Sequence, residues 1–246
     1  MKVAVAGATG VVGRHVVAVA RSRGHEVLEL ARSLGVDLTT GGGLAERLDG
    51  VAAVVDTTSV ATQRRAASES FFGSVTRTLL TAEKRARVGH HVVLSIVGID
   101  DVGLGYYQGK QFQEYVVTEG AVPWSILRAT QFHEFAEQSL GFMRLGPVSL
   151  VPRMPSQPVA ASEVAEALVD LVDAGPSGRV PDLGGPERLD LVDLARRVSR
   201  ARGMGRLVVP LRVPGGAGRA IRSGALFPAE GGPRGRQTFE EWLSAT

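Results

Sequence analysis

Short apolar runs alternate along the first 151 residues with longer stretches whose apolar positions recur every three or four residues, and the two periods fit strands and amphipathic helices. Strands are predicted at 2–6, 26–30, 35–38, 51–56, 91–96, 124–128 and 147–151. Helices are predicted at 11–23, 43–48, 67–88, 108–120 and 131–142. Strand and helix in alternation imply a parallel sheet covered on both faces. Right-handed crossovers then give an α/β fold, a Rossmann-type doubly wound parallel sheet with its ligand crevice at the carboxyl ends of the strands.

Past residue 152 the pattern loosens, with Pro152, Pro155, Pro158, Pro176, Pro181 and Pro186 between shorter elements. Helices are predicted at 162–174 and 189–202, and the Gly/Pro-rich stretches at 214–218 and 228–235 read as loops. We expect residues 1–151 to form the Rossmann core. Residues 152–246 are expected to form a small C-terminal α/β substrate lobe and helices packed on the same domain. Thr238 and Glu241 have capping-box spacing ahead of an amphipathic turn in which Trp242 is a packing residue.

Composition narrows the chemistry. The 246 residues are 44% apolar, enough for a substantial core, and the absence of cysteine excludes disulfides and thiol nucleophiles. Neither a secretory signal nor a membrane span is read in the sequence, so a cytoplasmic protein is expected. The pI of 9.7 invites a nucleic-acid reading. The positive charge is local, however: residues 196–246 hold ten arginines against three acids, and the rest of the chain is net acidic. Without interleaved aromatics these arginines read as a solvated or dimer-facing surface. The expected partner is a small-molecule substrate, with a homodimer through surface helices and no nucleic acid.

The first predicted strand meets Gly7-Ala8-Thr9-Gly10-Val11-Val12-Gly13 and then a helix. A turn of this kind aims the backbone N–H groups around Thr9, Gly10, Val11 and Val12, and the positive end of a helix, at one point. Such a point suits a dinucleotide pyrophosphate. Gly7 and Gly10 let the backbone turn and approach, and Gly13 lets the helix pack on the strand. The second strand closes on Leu30-Ala31-Arg32-Ser33 with no acid where a ribose 2′-hydroxyl would be read, because Glu29 alternates to the other side of Leu30. Arg32 offers a guanidinium fork and Ser33 a hydroxyl to a 2′-phosphate, so NADP(H) is expected over NAD(H).

Tyr106-Tyr107-Gln108-Gly109-Lys110 uses two of three tyrosines and one of three lysines in the chain. Tyr106 and Lys110 stand one helical turn apart on one face, where an ammonium is expected to lower the phenol toward working pH. Such a tyrosine can give or take the proton when hydride moves to or from a carbonyl carbon. Ser95, closing a strand, could bond the same oxygen. Tyr107 lies about 100° around the helix from Tyr106, as core or substrate wall. In Gln131-Phe132-His133-Glu134-Phe135, His133 is read either as a substrate contact or as a structural hydrogen-bonding residue. No catalytic metal is expected, since His133 has no second ligand at suitable spacing. His90 and His91 read as turn residues.

These segments, with Leu94-Ser95-Ile96-Val97-Gly98 and Leu127-Arg128-Ala129-Thr130-Gln131-Phe132-His133-Glu134-Phe135, resemble the short-chain dehydrogenase/reductase superfamily, and within it the atypical, NmrA-like NAD(P)-binding branch. The resemblance implies an NADP-dependent oxidoreductase acting on a carbonyl, quinone-like or conjugated small molecule. In that reading Tyr106 is the acid/base, Lys110 holds the nicotinamide ribose, and Ser95 orients the carbonyl. It further implies that Asp37 and Leu38 border the adenine and that Thr57 and Thr58 line the ribose wall. Ala129, Thr130 and Phe132 would flank the nicotinamide. From their placement after the fifth and sixth strands, Tyr107, Gln131 and His133 are expected to meet substrate. The chain has no asparagine, so the asparagine of the usual proton relay is absent and a water chain must replace it. The branch also contains proteins that sense the dinucleotide without turnover, which is the alternative reading.

Overall fold

Lys2–Ala6 carries four consecutive fully buried residues, Val3 to Ala6, and forms the first strand, β1. The computed structural model describes residues 1–245. In chain order β1 leads to helix α1 (Gly13–Ser22), β2 (Glu26–Leu30), a 3-10 turn (Arg32–Leu34), α2 (Leu44–Arg47), β3 (Ala53–Asp56), α3 (Arg65–Ala86), β4 (His90–Ile96), α4 (Gly105–Thr118) and β5 (Trp124–Ala129). There follow α5 (Phe135–Phe142), β6 (Arg144–Leu145), β7 (Val148–Pro152), β8 (Pro155–Ser156), α6 (Ala161–Ala174), β9 (Gly178–Arg179), β10 (Leu189–Asp190), α7 (Leu191–Ala201), β11 (Leu207–Leu211), α8 (Gly215–Arg222) and α9 (Phe239–Ala245).

The chain divides into two compact units. The first comprises residues 1–95, 104–128 and 162–181, and the second residues 96–103, 129–161 and the segment from 182 onward. Residues 162–181 thus group with the N-terminal part of the chain.

The first unit is built on the six-stranded parallel sheet, in the order β2-β1-β3-β4-β5-β9. The chain leaves β1 for β2 on one side and returns to β3 on the other, so the strand order reverses between β1 and β3. Their registers align Ala6 with both Leu30 and Asp56, which brings the loops after three strands to one level at the carboxyl edge. A switch point of this kind opens a crevice where ligands bind. Beneath it, Ala4, Ala6, Leu30, Leu44, Leu48, Val54, Val75 and Leu79 form one apolar cluster.

The sequence reading holds for most of these elements and fails at four. The Gly/Pro-rich stretch read as a loop at 214–218 instead begins helix α8 at Gly215, with Pro214 as its cap residue. The strand predicted at 35–38 does not form. Gly35 closes the 3-10 turn in the left-handed region (φ 76°), and the Asp37 carboxylate then accepts from the Thr39 N–H at 2.8 Å and hydroxyl at 2.7 Å. A side chain that offers the backbone a local partner competes with a ladder, while Val36 and Leu38 are still buried in the apolar cluster. The strand predicted at 147–151 forms at β7 but pairs with β11 and β6, because Gly146 (φ 56°) turns β6 back along it. The two-residue β9 takes the edge of the large sheet instead. His90 and His91 are not turn residues: they open β4 and are buried.

The second unit is α/β as well. A three-stranded sheet, β11-β7-β6, packs against α5 and α7, and a two-stranded pair joins β10 to β8. The Thr238–Glu241 capping box forms as read, with the Thr238 N–H donating to the Glu241 carboxylate at 2.7 Å and the Glu241 N–H to the Thr238 hydroxyl at 3.2 Å. Trp242 is buried, as expected of a packing residue.

Candidate functional site at the carboxyl edge of the parallel sheet

The turn after β1 is shaped by close approach. Gly7 has φ 77°, and a Cβ there would meet the Thr57 backbone at 3.0 Å. At Gly13 a Cβ would lie 2.1 Å from the Gly7 carbonyl oxygen, so only glycine lets α1 start this close to the strand. Val12 precedes α1 without a side-chain cap, and the first turn of α1 carries no acid. The Gly10, Arg14 and His15 N–H groups are taken by the Gly7, Gly10 and Val12 carbonyls, and the helix's positive end is left without a side-chain cap or an acid. Thr57 donates its hydroxyl to the Ala6 carbonyl at 2.9 Å, locking β3's exit to β1.

At the end of β2, the Ser33 hydroxyl reaches the Thr9 hydroxyl at 3.3 Å, tying this strand end to the glycine turn. Arg32 is exposed beside it, and Glu29 is occupied by Arg21 at 2.7 Å. The Asp37 carboxyl is held below its usual pKa by the Thr39 hydroxyl and N–H, with a smaller contribution from Arg32. Leu38, in contrast, points into the apolar cluster. Thr58 is turned toward Asp56, whose carboxylate accepts from both its N–H at 2.9 Å and its hydroxyl at 2.7 Å.

Tyr106 and Lys110 sit on α4, which glycines allow to lie tight against α3. A Cβ at Gly109 would meet the Ser68 hydroxyl at 2.0 Å, and one at Gly105 the Gln63 carbonyl at 2.2 Å. Phe72 of α3 fills the space between the two functional side chains. Its ring meets the Tyr106 ring edge-on at 5.6 Å, and the Lys110 ammonium stands 4.7 Å over its face.

The hydrogen bonds of the pair differ from the sequence expectation. Tyr106 shares a bond of 2.8 Å with Ser59, while Lys110 donates to the Leu94 carbonyl at 2.6 Å and to the Gln113 side-chain carbonyl. Gln113 in turn donates to Asp56 at 2.9 Å. A buried chain, Asp56–Gln113–Lys110–Leu94, thus ties the end of β3 to the end of β4 through α4. Burial lowers Lys110 to about 8, against upward pulls from Asp56 and Glu114. The phenol of Tyr106 is raised above its usual value by burial, only partly offset by Ser59. The expected lowering by the ammonium is therefore replaced by a neutral, proton-bearing tyrosine. Next to Leu94, the Ser95 hydroxyl is buried without a hydrogen-bond partner among the described residues.

Residues 7–174 match the family model described as NAD(P)H-binding. The chain belongs to the NAD(P)H-binding family. Among solved structures, this NAD(P)H-binding protein is similar to a short-chain dehydrogenase/reductase superfamily protein from Agrobacterium tumefaciens with bound NAD, at 19% identity and a TM-score of 0.70, over 100% of this chain and 95% of that one. It is similar also to the NADPH-dependent quinone oxidoreductase from Escherichia coli complexed with NADPH, at 18% identity and a TM-score of 0.70, over 99% of both chains. A third is UDP-glucose 4-epimerase from Bifidobacterium longum in complex with NAD+ and UDP, at 12% identity and a TM-score of 0.73, over 99% and 96%. At these identities the likeness is one of fold. No curated protein matches the chain.

The residues of this NAD(P)H-binding protein fit a dinucleotide at the glycine turn. Gly7 and Gly13 permit the close backbone approaches that shape the turn, and the uncapped positive end of α1 suits an anion. Sequence reasoning missed Ser59, Asp56 and Gln113. Their signal was faint: Ser59 extends the Thr57-Thr58 pair after β3, and Gln113 follows Lys110 by three positions, the spacing of neighbours on a helix face.

The remaining predicted residues lie in the second unit, and Tyr107 in the first. Tyr107 meets the Tyr106 ring edge-on at 6.3 Å. Thr130 is a structural residue there, its N–H donating to Leu183 at 3.0 Å and its hydroxyl to the Gln157 carbonyl at 2.6 Å. Ala129 and Phe132 form bridges with Leu183 and Val159. His133 bonds the Gln237 carbonyl at 3.1 Å and packs on Phe239 and Trp242, which is the structural alternative of its two readings. Gln131 is buried with both amide atoms lacking partners among the described residues.

No helix among the described residues is long and apolar enough to cross a membrane.

Proposed function

We propose that the protein is an NADP-dependent oxidoreductase that reduces a carbonyl, quinone-like or conjugated small molecule, with Tyr106 as the acid. The observation that carries the reading is the Tyr106–Ser59 hydrogen bond, which places a protonated phenol on α4 against the loop that leaves β3 beside the glycine turn. A bound nicotinamide dinucleotide supplies hydride to a substrate carbon. Tyr106 gives its proton to the adjacent oxygen as charge develops there, and Ser59 passes a replacement proton from solvent. A raised phenol pKa suits this direction, because the proton is present at neutral pH. The unpartnered Ser95 hydroxyl is proposed to bond substrate, since a buried polar group without a partner costs about 1–3 kcal/mol until one arrives. Tyr107 is proposed as a substrate wall beside Tyr106.

On the cofactor side, Gly7 to Gly13 are proposed to receive the pyrophosphate, and Arg32 and Ser33 the 2′-phosphate. The Arg32 guanidinium is exposed and makes no hydrogen bond among the described residues, its nearest electrostatic neighbour is Asp37, and Glu29 on β2 is taken by Arg21, which supports a preference for NADP(H). Lys110 is proposed to hold the nicotinamide ribose after exchanging one of its present partners.

That exchange favours a second reading. Because the Lys110 ammonium is satisfied by Leu94 and Gln113, the protein could bind the dinucleotide as a sensor without turnover. Fluorescence titration with NADPH and NADH, followed by NADPH oxidation assays with quinones and α,β-unsaturated carbonyls, tests both. Turnover supports the oxidoreductase; tight binding with no turnover over a broad substrate panel supports the sensor.

A further inference from the structure

The second unit holds a cationic cavity that the cofactor reading leaves unused. Strands β7 and β11 run parallel with Pro152 in register with Leu211, and the Arg153 N–H donates to the Leu211 carbonyl at 2.9 Å. The residue after each strand is an arginine, Arg153 and Arg212, so two guanidinium stems leave neighbouring strand ends about 5 Å apart. Arg222, the last residue of α8, is the third. One Nη donates to the Val213 carbonyl at 2.9 Å, which anchors its fork one residue beyond Arg212. With Pro210 these three arginines line a cavity of about 460 Å³.

No acid lines this cavity, and Arg153 and Arg212 have no carboxylate partner among the described residues. Three other arginines of the same unit are paired with acids, Arg196 with Asp193, Arg197 with Glu240 and Arg202 with Glu137. Like charges on neighbouring strands repel, and placing a third beside them adds to the cost unless an anion enters. Guanidinium forks match phosphate oxygens in bidentate geometry, and the carboxyl ends of parallel strands are where ligands of α/β sheets bind. The volume lies within the range of small-molecule sites. By contrast, a cavity of about 340 Å³ in the first unit sets Glu46 beside Arg77 and Arg85, so its cations face an acid of their own.

We infer that this cavity binds a phosphate-bearing small molecule, with Arg153, Arg212 and Arg222 holding the phosphate oxygens. The inference stands on the second unit alone and does not depend on the dinucleotide site.

The test titrates the full-length protein with inorganic pyrophosphate and, separately, citrate at constant ionic strength. Phenylglyoxal modification with and without pyrophosphate is then mapped by mass spectrometry. Pyrophosphate is expected to protect Arg153, Arg212 and Arg222. An Arg153→Gln/Arg212→Gln variant is expected to lose at least about ten-fold in pyrophosphate affinity, in line with the loss of charge-assisted bonds. Both side chains are exposed, so the exchange removes no core packing. Far-UV circular dichroism checks the fold of the variant, and its NADPH affinity, expected to equal the parent's, separates this site from the cofactor reading. Protection confined to Arg32, undiminished pyrophosphate affinity in the variant, citrate binding as tight as pyrophosphate, or displacement of pyrophosphate by a single-stranded oligonucleotide would each overturn the inference.

Discussion

Ser59, on the loop leaving β3, and Tyr106, on the first turn of α4, share a hydrogen bond of 2.8 Å, which joins the loop after β3 to α4 within the first unit. Ser59 is exposed and Tyr106 is half-buried against Phe72, so Ser59 can pass a proton from solvent to the phenol. Ser59→Ala is expected to lower kcat about ten-fold or more, within the range of a lost proton-transfer partner, with little change in NADPH affinity. Steady-state kinetics beside NADPH titration checks the split; unchanged kcat would remove Ser59 from the relay.

Arg32→Ala is expected to weaken NADPH binding by about ten-fold, the size of one charge-assisted phosphate contact, and to leave NADH affinity unchanged. Parallel fluorescence titrations measure it. Equal losses for both dinucleotides would mean that the guanidinium does not read the 2′-phosphate.

Gly13→Ala puts a Cβ 2.1 Å from the Gly7 carbonyl oxygen, a backbone atom that cannot swing aside. The chain must shift at the turn, and a loss of about 1–3 kcal/mol is expected, as for overpacking in a close-packed region. Urea unfolding measures the loss and NADPH titration the accompanying fall in affinity. Gly24→Ala serves as the comparison, since a Cβ there meets nothing within 4 Å, although its φ of 80° carries a backbone cost of its own.

The adjacent histidines of β4 give opposite pH dependences. Burial disfavours charge on His91, but the Glu83 carboxylate at 2.8 Å outweighs it and raises the pKa above 6.5. This contribution to stability is fully present below 6.5 and is lost as pH rises through the raised value. For His90 burial, and then His91, lower the pKa to about 4. Its contribution is present above 6.5 and is lost as pH falls toward 4. Thermal melts of His90→Gln are expected to show a shallower fall on the acid side, and those of Glu83→Gln, which breaks a fully buried pair at a cost of about 3–5 kcal/mol, a shallower fall on the alkaline side. Slopes that match the parent's would contradict the assignment.

Much of this fold was legible because β1 and β3 are apolar runs followed by glycine and threonine, and because Gly7, Gly10 and Gly13 tie a turn to a strand and a helix at fixed spacing. The strand missed at 35–38 shows the limit. Val36 and Leu38 are as apolar and as buried as strand residues, yet the Asp37 carboxylate captures the next turn, a choice made by one side chain. The site was legible in its residue types and less so in its bonds. Tyr106 and Lys110 stand one turn apart as spacing requires, but Phe72 stands between them from a helix more than thirty residues earlier, and Gln113 and Asp56 claim the ammonium's side of the network. Such partners come from the α3–α4 contact that Gly105 and Gly109 permit, and tertiary contact is what a linear spacing rule leaves out.

The most direct test of the oxidoreductase reading is Tyr106→Phe, measured for NADPH affinity and for NADPH oxidation with the best substrate of the quinone and carbonyl panel. The account expects affinity within about two-fold of the parent and kcat lower by about 10²-fold or more, the usual contribution of a positioned general acid. A variant that turns over at the parent's rate would contradict it and leave Tyr106 as a packing residue on Phe72.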